Sequence, residues 1–483
     1  MKLSALIKHT PIKGQMGSMD VEITGVSIDS RTVKKNFVFI AITGENIDGH
    51  NFIHKAIQKG AVAVIHEKPI PNFQDNVSYI LSGDTRNTLA HVANTWFDNP
   101  SKKMLVYGIT GTNGKTTISY FLAHLLRSVG LPSAIIGTTG AWTLNKHIPL
   151  KNTTPDILTI NSILKTLVEQ GVKAVCLEVS SHGLEQKRVE GIDFDAGIFT
   201  NLTRDHLDYH VTFEKYLAAK QILFNQLKPD SLAIVNSDDP AWGKIVENTK
   251  AKIIKVGTHK DADYQIIKTI PHPSLNTLVI LHQSEKMRMK TNTMGNFNYS
   301  NLLQAFSLIS EKHEVNESVL KTIKTLPNVP GRLERIETKY NYPIFVDYAH
   351  TPDAMENVLT TLRGSFPEKK IITIFGCGGD RDKGKRPLMG AIADKYSDRI
   401  IITDDNPRFE DSHSIIDDIV LGIPNLNRFN TITPRIKAIL TALEVSNHDT
   451  VLAILGKGHE DYQDIQGELF PYNDIDIIKG FFK

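Results

Sequence analysis

The sequence predicts an α/β protein of three domains: a small N-terminal α/β domain over residues 1–95, a central doubly wound sheet over 96–330 and a C-terminal Rossmann-like domain over 331–483. Three observations predict it. At 483 residues the chain is too long for one hydrophobic core. Short apolar runs alternate with stretches of helical spacing, as a mostly parallel sheet requires. Polar clusters repeatedly follow the carboxyl ends of the apolar runs, the edge where open α/β sheets bind ligands. No internal repeat or low-complexity segment interrupts the pattern.

Composition narrows the function classes. The chain is 41% hydrophobic and 22% charged, with a net charge of +2, which points to neither a nucleic-acid surface nor a polybasic membrane patch. No apolar run is long enough to span a bilayer, and the N-terminus lacks a signal-peptide pattern. The two cysteines, Cys176 and Cys377, sit in apolar runs and read as buried thiols of a reducing compartment. A cytoplasmic protein is expected.

In the first domain, Phe37 to Ile40 and Ala61 to Ile65 are strand-like, and Phe52 to Lys59 between them has helical spacing. Two polar loops stand out, Ser27-Ile28-Asp29-Ser30-Arg31 and Thr43-Gly44-Glu45-Asn46-Ile47-Asp48-Gly49. Ordinary turn chemistry accounts for them as well as ligand binding does.

The central domain opens on its most informative stretch. A strand-like run from Met104 to Tyr107 enters Gly108-Ile109-Thr110-Gly111-Thr112-Asn113-Gly114-Lys115-Thr116-Thr117, and a helix-like run from Ile118 to Arg127 leaves it. This is a P-loop setting. Glycines let backbone N–H groups converge on phosphate oxygens, and a helix N-terminus adds partial positive charge. Lys115 would reach the outer phosphates and Thr116 would offer a hydroxyl to magnesium. The loop departs from the usual spacing in that five residues, not four, separate Gly108 from Gly114.

Further strand ends carry polar clusters. Ala174 to Leu177 leads into Glu178-Val179-Ser180-Ser181-His182; Ala196 to Phe199 leads into Thr200 through Asp208; Leu232 to Val235 leads into Asn236-Ser237-Asp238-Asp239. Magnesium takes hard oxygen ligands and tolerates an imidazole, so Thr116, Glu178 and His206 form a candidate set. His206 alone would read as a satisfied loop histidine. In the helix-like Phe213 to Lys220, Lys215 and Lys220 would ordinarily be solvated charges; an ammonium near magnesium would be repelled unless converted into an anion.

In the third domain Ile344 to Val346, Ile371 to Phe375, Arg399 to Ile402 and Val451 to Leu455 run into Asp347-Tyr348-Ala349-His350, Gly376 to Arg381, Thr403 to Arg408, and Gly456 to Asp461. Arg332, after Pro330-Gly331, could stabilise a transferring phosphoryl group or simply bridge two domains. In Asp405-Asn406-Pro407-Arg408 proline fixes the turn and the arginine fork suits a carboxylate, while Glu460 and Asp405 would accept from an ammonium. A site with both hooks suits an amino acid, although an isolated Asn-Pro turn is commonly structural.

On these motifs the chain resembles the Mur ligase family over all three domains. Gly111-Thr112-Asn113-Gly114-Lys115-Thr116-Thr117 resembles its ATP loop, Gly295 to Asn301 its adenine-side motif with Asn301 as contact, and Asp347 to Pro352 its ribose-side motif. The resemblance implies metal ligands at Thr116, Glu178, His206 and Lys220, the last as a carbamate, and catalytic roles for Lys115, Lys220, His206 and Arg332, which also contacts ATP. It places a UDP-muramoyl dipeptide on Ile28, Ser30, Glu45, Asn46, Ile47, Asn152, Thr153, Thr154, Ser180, Gln186 and Arg188. It places diaminopimelate on Arg381, Asp405, Asn406, Pro407, Arg408, Gly456 and Glu460. The implied activity is ATP- and Mg2+-dependent addition of meso-diaminopimelate to the D-glutamate of that dipeptide through an acyl phosphate, by a monomer with no nucleic-acid or membrane partner. Sister activities share the ATP machinery: an L-lysine-adding member, or a ligase like folylpolyglutamate synthase. A nucleotide switch without an acceptor site is the reading from another class.

Overall fold

A computed structural model of the chain describes residues 1–44, 47–272, 275–338, 342–425 and 427–483, with only the backbone described at Leu207 and Asp208. Three sheets hold the parallel strands. In the first, five strands lie in the order Gly14–Met16, Ser78–Leu81, Ala61–His66, Phe37–Ile40, Gly25–Ser27, all parallel to their neighbours except Gly14–Met16. The predicted strands at 37–40 and 61–65 are both present, and the helical spacing of 52–59 becomes a short helix, Ile53–Gln58.

The central sheet has eleven strands. Its parallel middle runs Lys252–Gly257, Leu232–Asn236, Ala196–Phe199, Leu105–Thr110, Ala174–Glu178, Ser133–Gly137. The strand that feeds the glycine-rich loop is therefore flanked on both sides by strands ending in candidate site residues, Phe199 opposite Thr110 and Glu178 opposite Ile109. Beyond Lys252–Gly257 the sheet continues through Tyr264–Ile270 and turns antiparallel at Asn276–His282 and Glu285–Thr291. That wing was not legible in the sequence. Its last hairpin turns on Gln283 and Ser284, both at positive φ (49° and 68°), a turn geometry that Asn-Gly or Asp-Gly ordinarily announces.

The third sheet has six strands in the order Glu334–Ile336, Ile344–Asp347, Thr450–Leu455, Lys370–Phe375, Arg399–Ile402, Phe429–Thr431, parallel except for the first. Helices cover both its faces, one through Met355, Leu359 and Met389, the other through Ile439, Leu443 and Ile478, all fully buried or nearly so.

Packing makes the carboxyl edges rigid. Helices Lys115–Ser128 and Asn296–Lys312 cover one face of the central sheet through Leu122, Leu125, Leu302 and Phe306. On the other face, a single apolar cluster runs from Val38, Ile40 and Ile65 of the first sheet, through Leu89 and Val92 of helix Thr85–Trp96, to Val106, Ile136 and Leu177 of the central sheet. Each such side chain contributes about 1.5–3 kcal/mol on burial, so the first and central sheets are held together by their shared interior. Cys176 and Cys377 are buried free thiols, as expected. Among the described residues no helix is long and apolar enough to cross a membrane.

Candidate nucleotide and amino-acid sites

The glycine-rich loop begins one turn later than the Gly108 spacing suggested. Gly108 is a strand residue, and a Cβ there would meet the rings and methyls of Phe194 and Leu223 at 2.9–3.0 Å, so it is a packing glycine. The loop proper runs from Gly111 to Gly114. Both have positive φ (145° and 86°), and a Cβ on Gly114 would lie 2.6 Å from Asn301 Oδ1. Neighbouring strand ends pin the loop. Thr112 N–H donates to Asn201 O (2.9 Å), Asn113 N–H donates to Asn201 Oδ1 (2.9 Å), and Thr200 Oγ1 donates to Asn113 O (2.5 Å).

The helices Thr85–Trp96, Ile157–Glu169, Phe213–Asn225 and Pro352–Ser365 are each capped by a side chain, from Asp84, Asp156, Thr212 and Thr351. Helix Lys115–Ser128 has Gly114 at its cap and no side-chain acceptor, and Asn296–Lys312 and Arg435–Val445 also start without one. What sets Lys115–Ser128 apart is that its first turn and the loop before it line the cleft without a break from Thr112 to Thr117. Its first-turn N–H groups face the cleft, ready for phosphate oxygens. Gly114→Ala would combine left-handed strain with a clash against Asn301. The expected result is an ATP KM raised about tenfold, from strain of roughly 1–2 kcal/mol. An unchanged ATP KM would separate the Gly114–Asn301 contact from the nucleotide.

Around the loop the predicted residues converge. One cleft is lined by Lys115, Thr116, His206, Asn301, Arg332 and Asp347, with third-domain residues 347–358 forming its opposite wall. Lys115 Nζ donates to the carbonyls of Gly111 and Thr112 at 2.8 Å, and burial pulls its pKa down. Thr116 Oγ1 donates to Glu178 Oε2 (3.0 Å) and accepts from Arg332 Nη2 (3.3 Å). Glu178 is fully buried. It also accepts from Thr138 N–H (3.2 Å) and Thr138 Oγ1 (2.9 Å), in space left by Gly137, whose Cβ would lie 2.1 Å from its Oε1.

Asp205 lies within 3.4 Å of His206 Nε2 and 4.0 Å of His350 Nε2. Burial pushes the His206 pKa down to about 4 against the pull of Asp205, leaving a neutral imidazole suited to ligation. Lys220 is not the solvated charge its sequence context suggested; only Lys215 is exposed. Lys220 is 1% exposed, with Nζ 4.4 Å from the Tyr216 ring centroid, and no carboxylate or carbonyl among the described residues pairs with it. Burial, then the nearby Lys115, drives its pKa well below the usual lysine range.

Arg332 spans the seam between central and third sheets. It donates to Thr116 and packs over the Tyr348 ring, 4.7 Å from its centroid. Asp347 accepts from the N–H groups of Leu333 and Ala349 (2.7 Å to the latter), and burial raises its pKa to about 6 despite Arg332. Two further contacts cross the seam: Asn113 Nδ2 donates to Asp353 Oδ2 (3.0 Å), and Arg204 Nε donates to Asp382 Oδ2 (3.0 Å).

The Asp405–Arg408 segment closes a second cluster on the third sheet's carboxyl edge. Tyr348 OH donates to Glu460 Oε1 (3.3 Å), and Asn406 Nδ2 donates to Glu460 Oε2 (2.9 Å). Arg408 sits at φ 51°. Its N–H donates to Asp464 O (3.0 Å) and Gln466 N–H donates to its carbonyl (2.8 Å), so the hairpin Tyr462–Ile465/Glu468–Pro471 grips its backbone. Its Nη1 donates to Gly379 O (2.7 Å), and Nε lies 3.7 Å from Asp464 Oδ2. Gly456 leaves room for Asp405: a Cβ there would lie 2.7 Å from Asp405 Oδ2. Pro407 is buried beneath the turn, whereas Arg381 is exposed and, among the described residues, its side chain bonds only to the carbonyl of Asp380 (3.4 Å).

A third cluster joins the first and central sheets. Thr154 Oγ1 donates to Ser180 Oγ (3.1 Å), Arg188 Nη1 donates to Thr154 O (2.8 Å), and Arg188 Nη2 donates to Gln186 Oε1 (2.6 Å). Arg86 links them to the first sheet by donating to Thr43 O (3.1 Å). Thr153 bonds Thr138 (3.0 Å), which places it beside Glu178. Ile28 and Ser30 lie just past the strand Gly25–Ser27 and make no hydrogen bond to this cluster among those described; Asn152 and Ile47 are exposed. Glu45 and Asn46 lie outside the described residues, as does the side chain of Asp208.

Sequence reasoning did not single out Tyr348, Asp205, Thr138 or Lys457 as site residues. Tyr348, Asp205 and Lys457 follow strand ends in clusters it had flagged, whereas Thr138 follows the strand Ser133–Gly137, which it had not; the roles of all four depend on partners from distant segments.

Comparison with known proteins shows the family and the fold. Residues 22–95 match the Mur ligase family catalytic domain, 109–309 the Mur ligase middle domain, and 331–458 the Mur ligase glutamate ligase domain. The chain is 40% identical over 485 residues to the UDP-N-acetylmuramoyl-L-alanyl-D-glutamate–2,6-diaminopimelate ligase of Parabacteroides distasonis, covering 100% of this chain and 99% of that one. A solved structure of a ligase of the same description superposes with a TM-score of 0.70 at 32% identity, covering 100% of this chain and 98% of that one. MurF ligase from Thermotoga maritima in complex with ADP shares the fold, with a TM-score of 0.63 at 18% identity over 95% of this chain and 96% of that one.

Proposed function

The chain belongs to the Mur ligase family, and from that premise we propose that it is an ATP-dependent, ADP-forming amide ligase of peptidoglycan precursor synthesis. It joins meso-diaminopimelate to the D-glutamate of UDP-N-acetylmuramoyl-L-alanyl-D-glutamate. The observation that carries this reading is continuity: Thr116, Arg332, Tyr348, Glu460 and Asn406 form one chain of contacts from the phosphate loop to the arginine turn.

The division of labour follows the three edges. Residues 1–95 hold the uridine end, with Ile28, Ser30 and the 45–47 loop; Asn152, Thr153, Thr154, Ser180, Gln186 and Arg188 hold the dipeptide. Residues 96–330 hold ATP on Gly111–Thr117, with Asn301 on the adenine side; Asp347 takes the ribose. Residues 331–483 hold diaminopimelate on Arg381, Asp405–Arg408, Gly456 and Glu460. A glutamate γ-carboxylate oxygen attacks the γ-phosphorus and ADP leaves. The diaminopimelate amine then attacks the acyl carbon, losing its proton, and phosphate departs with the C–O bonding pair. Lys115 and Arg332 counter the charge that builds on the phosphoryl oxygens, and closure of the third sheet over the cleft excludes water.

The residues also fit a magnesium ion. A buried carboxylate on Glu178, a neutral His206 imidazole, the Thr116 hydroxyl and a carbamate on Lys220 would hold it, and when bound it adds positive charge beside the phosphates. Among the described residues no three His, Cys, Asp or Glu side chains gather to hold a metal, so this set relies on the Thr116 hydroxyl and the Lys220 carbamate beside Glu178 and His206. The protein acts as a cytoplasmic monomer.

The test is a substrate panel. With ATP, magnesium and the UDP-linked dipeptide, phosphate release should depend on an added acceptor and favour diaminopimelate over L-lysine. Equal turnover with lysine would move the chain to the sister activity. Release of phosphate indifferent to any acceptor would favour a nucleotide switch.

A further inference from the structure

Lys457 carries an ammonium locked inside the amino-acid cluster. Its side chain is 0% exposed, and Nζ donates to Asn406 Oδ1 and to Glu460 Oε2, both at 2.9 Å. The rings of Tyr462 and Tyr472 flank it, each centroid 5.6 Å away. A buried cation with a single carboxylate partner is costly unless its geometry is well satisfied, and here every bond it makes goes to a residue already assigned to the acceptor.

The consequence appears at Asn406, which is 3% exposed. Its Oδ1 accepts from Lys457 Nζ and from Asp464 N–H (3.0 Å), which fills both lone pairs. Its Nδ2 gives one hydrogen to Glu460 Oε2, and among the described residues no acceptor takes the other. Turning the carboxamide over would set its NH2 against two donors. Asn406 is thereby fixed as a donor toward a ligand. Glu460 is fixed as well: Asn406 and Lys457 occupy Oε2, so Oε1, bonded among the described residues only by Tyr348 OH at 3.3 Å, is the oxygen left to receive an ammonium.

We infer that Lys457 is a positioning residue for the amino-acid acceptor: through Asn406 and Glu460 it sets a carboxylate-seeking donor and an ammonium-seeking acceptor in fixed places. The inference rests on the acceptor site proposed above. Lys457 touches neither ATP nor the acyl phosphate, so its removal should spare the first half-reaction.

Lys457→Met tests this, because Met fills similar volume without charge. The readouts are the KM for diaminopimelate and, without acceptor, the rate at which hydroxylamine traps the acyl phosphate as hydroxamate. Lys457→Met should raise the diaminopimelate KM by roughly tenfold to a hundredfold, the loss expected for charge-assisted hydrogen bonds, with hydroxamate formation within about twofold of the parent. A diaminopimelate KM within about twofold of the parent, or a hydroxamate rate that falls in step with KM, overturns the inference.

The pair Glu460→Gln and Lys457→Met/Glu460→Gln guards against misfolding, because the double variant buries no unpaired charge. Its KM should exceed that of Glu460→Gln alone several-fold, because Asn406 loses its anchor, yet fall short of the product of the single effects. Equal KM values in these two variants overturn the inference too. Arg408→Ala run alongside separates the failures. If it raises KM and the Lys457 variants do not, Lys457 is the misassigned residue; if it also leaves KM unchanged, the acceptor site itself is misplaced.

Discussion

Arg408→Ala will lower kcat/KM for diaminopimelate by about a thousandfold while ATP binding is retained, because a site built around a guanidinium fork loses both charge and geometry. The Arg408 backbone is held at both its N–H and its carbonyl by the hairpin, and one arm of the guanidinium is spent on Gly379. Nε faces Asp464 Oδ2 at 3.7 Å, and Nη2, with no hydrogen bond among the described residues, is the arm left to read a carboxylate. Arg408→Lys is the sharper form of the experiment: it keeps the charge, removes the fork, and should recover only a small part of the loss. Steady-state kinetics with diaminopimelate, beside ATP binding measured by calorimetry, gives the answer. Unaltered diaminopimelate kinetics in the alanine variant would rule out the pocket.

Lys220→Ala will lower turnover by about a thousandfold, the cost of removing a group that completes an electrostatic site. The side chain is buried beside Lys115 with no described anion to pair with it, and its burial favours the neutral amine, the form that adds carbon dioxide. Nitrogen attack on the carbon and loss of one proton give a carbamate anion, which suits the neighbourhood as an ammonium does not. Acetate or propionate at high concentration should restore part of the alanine variant's activity by supplying the missing carboxylate. An alanine variant with parental activity would sink this assignment, as would a parent enzyme whose turnover and Lys220 mass are indifferent to bicarbonate.

How much of this was legible from the sequence depended on the range of the interactions. The parallel strands at 105–110, 174–178, 196–199, 344–347 and 450–455 were visible as apolar runs because both their faces are buried. The antiparallel wing at 264–291 has one solvated face and a hairpin turn without glycine or asparagine, so neither signal was strong. At the site, the loop Gly111–Thr117 announced itself through local chemistry. Gly108 misled the spacing because a packing glycine and a loop glycine look alike in one dimension. Lys220 looked like surface charge because the helix Phe213–Asn225 shows no clean stripe around it: Lys215 is exposed and Lys220 buried five residues later. Lys457 was hidden for a different reason. Its partners, Asn406 and Glu460, are 51 and 3 residues away, and only the fold brings the first of them within reach.

The contacts Asn113–Asp353 and Arg204–Asp382 tie the phosphate loop and its neighbour to the third sheet. Thermodynamic linkage makes that tie reciprocal: whatever an occupant of the loop does for the joint, the joint does for the occupant. Asp353 and Asp382 are therefore expected to enter the apparent affinity for the triphosphate, and an acceptor on the third sheet, as proposed above, to report back to the same equilibrium. Cooperativity between ATP and the acceptor amino acid is the expected result, measured as a change in ATP affinity when the acceptor is added.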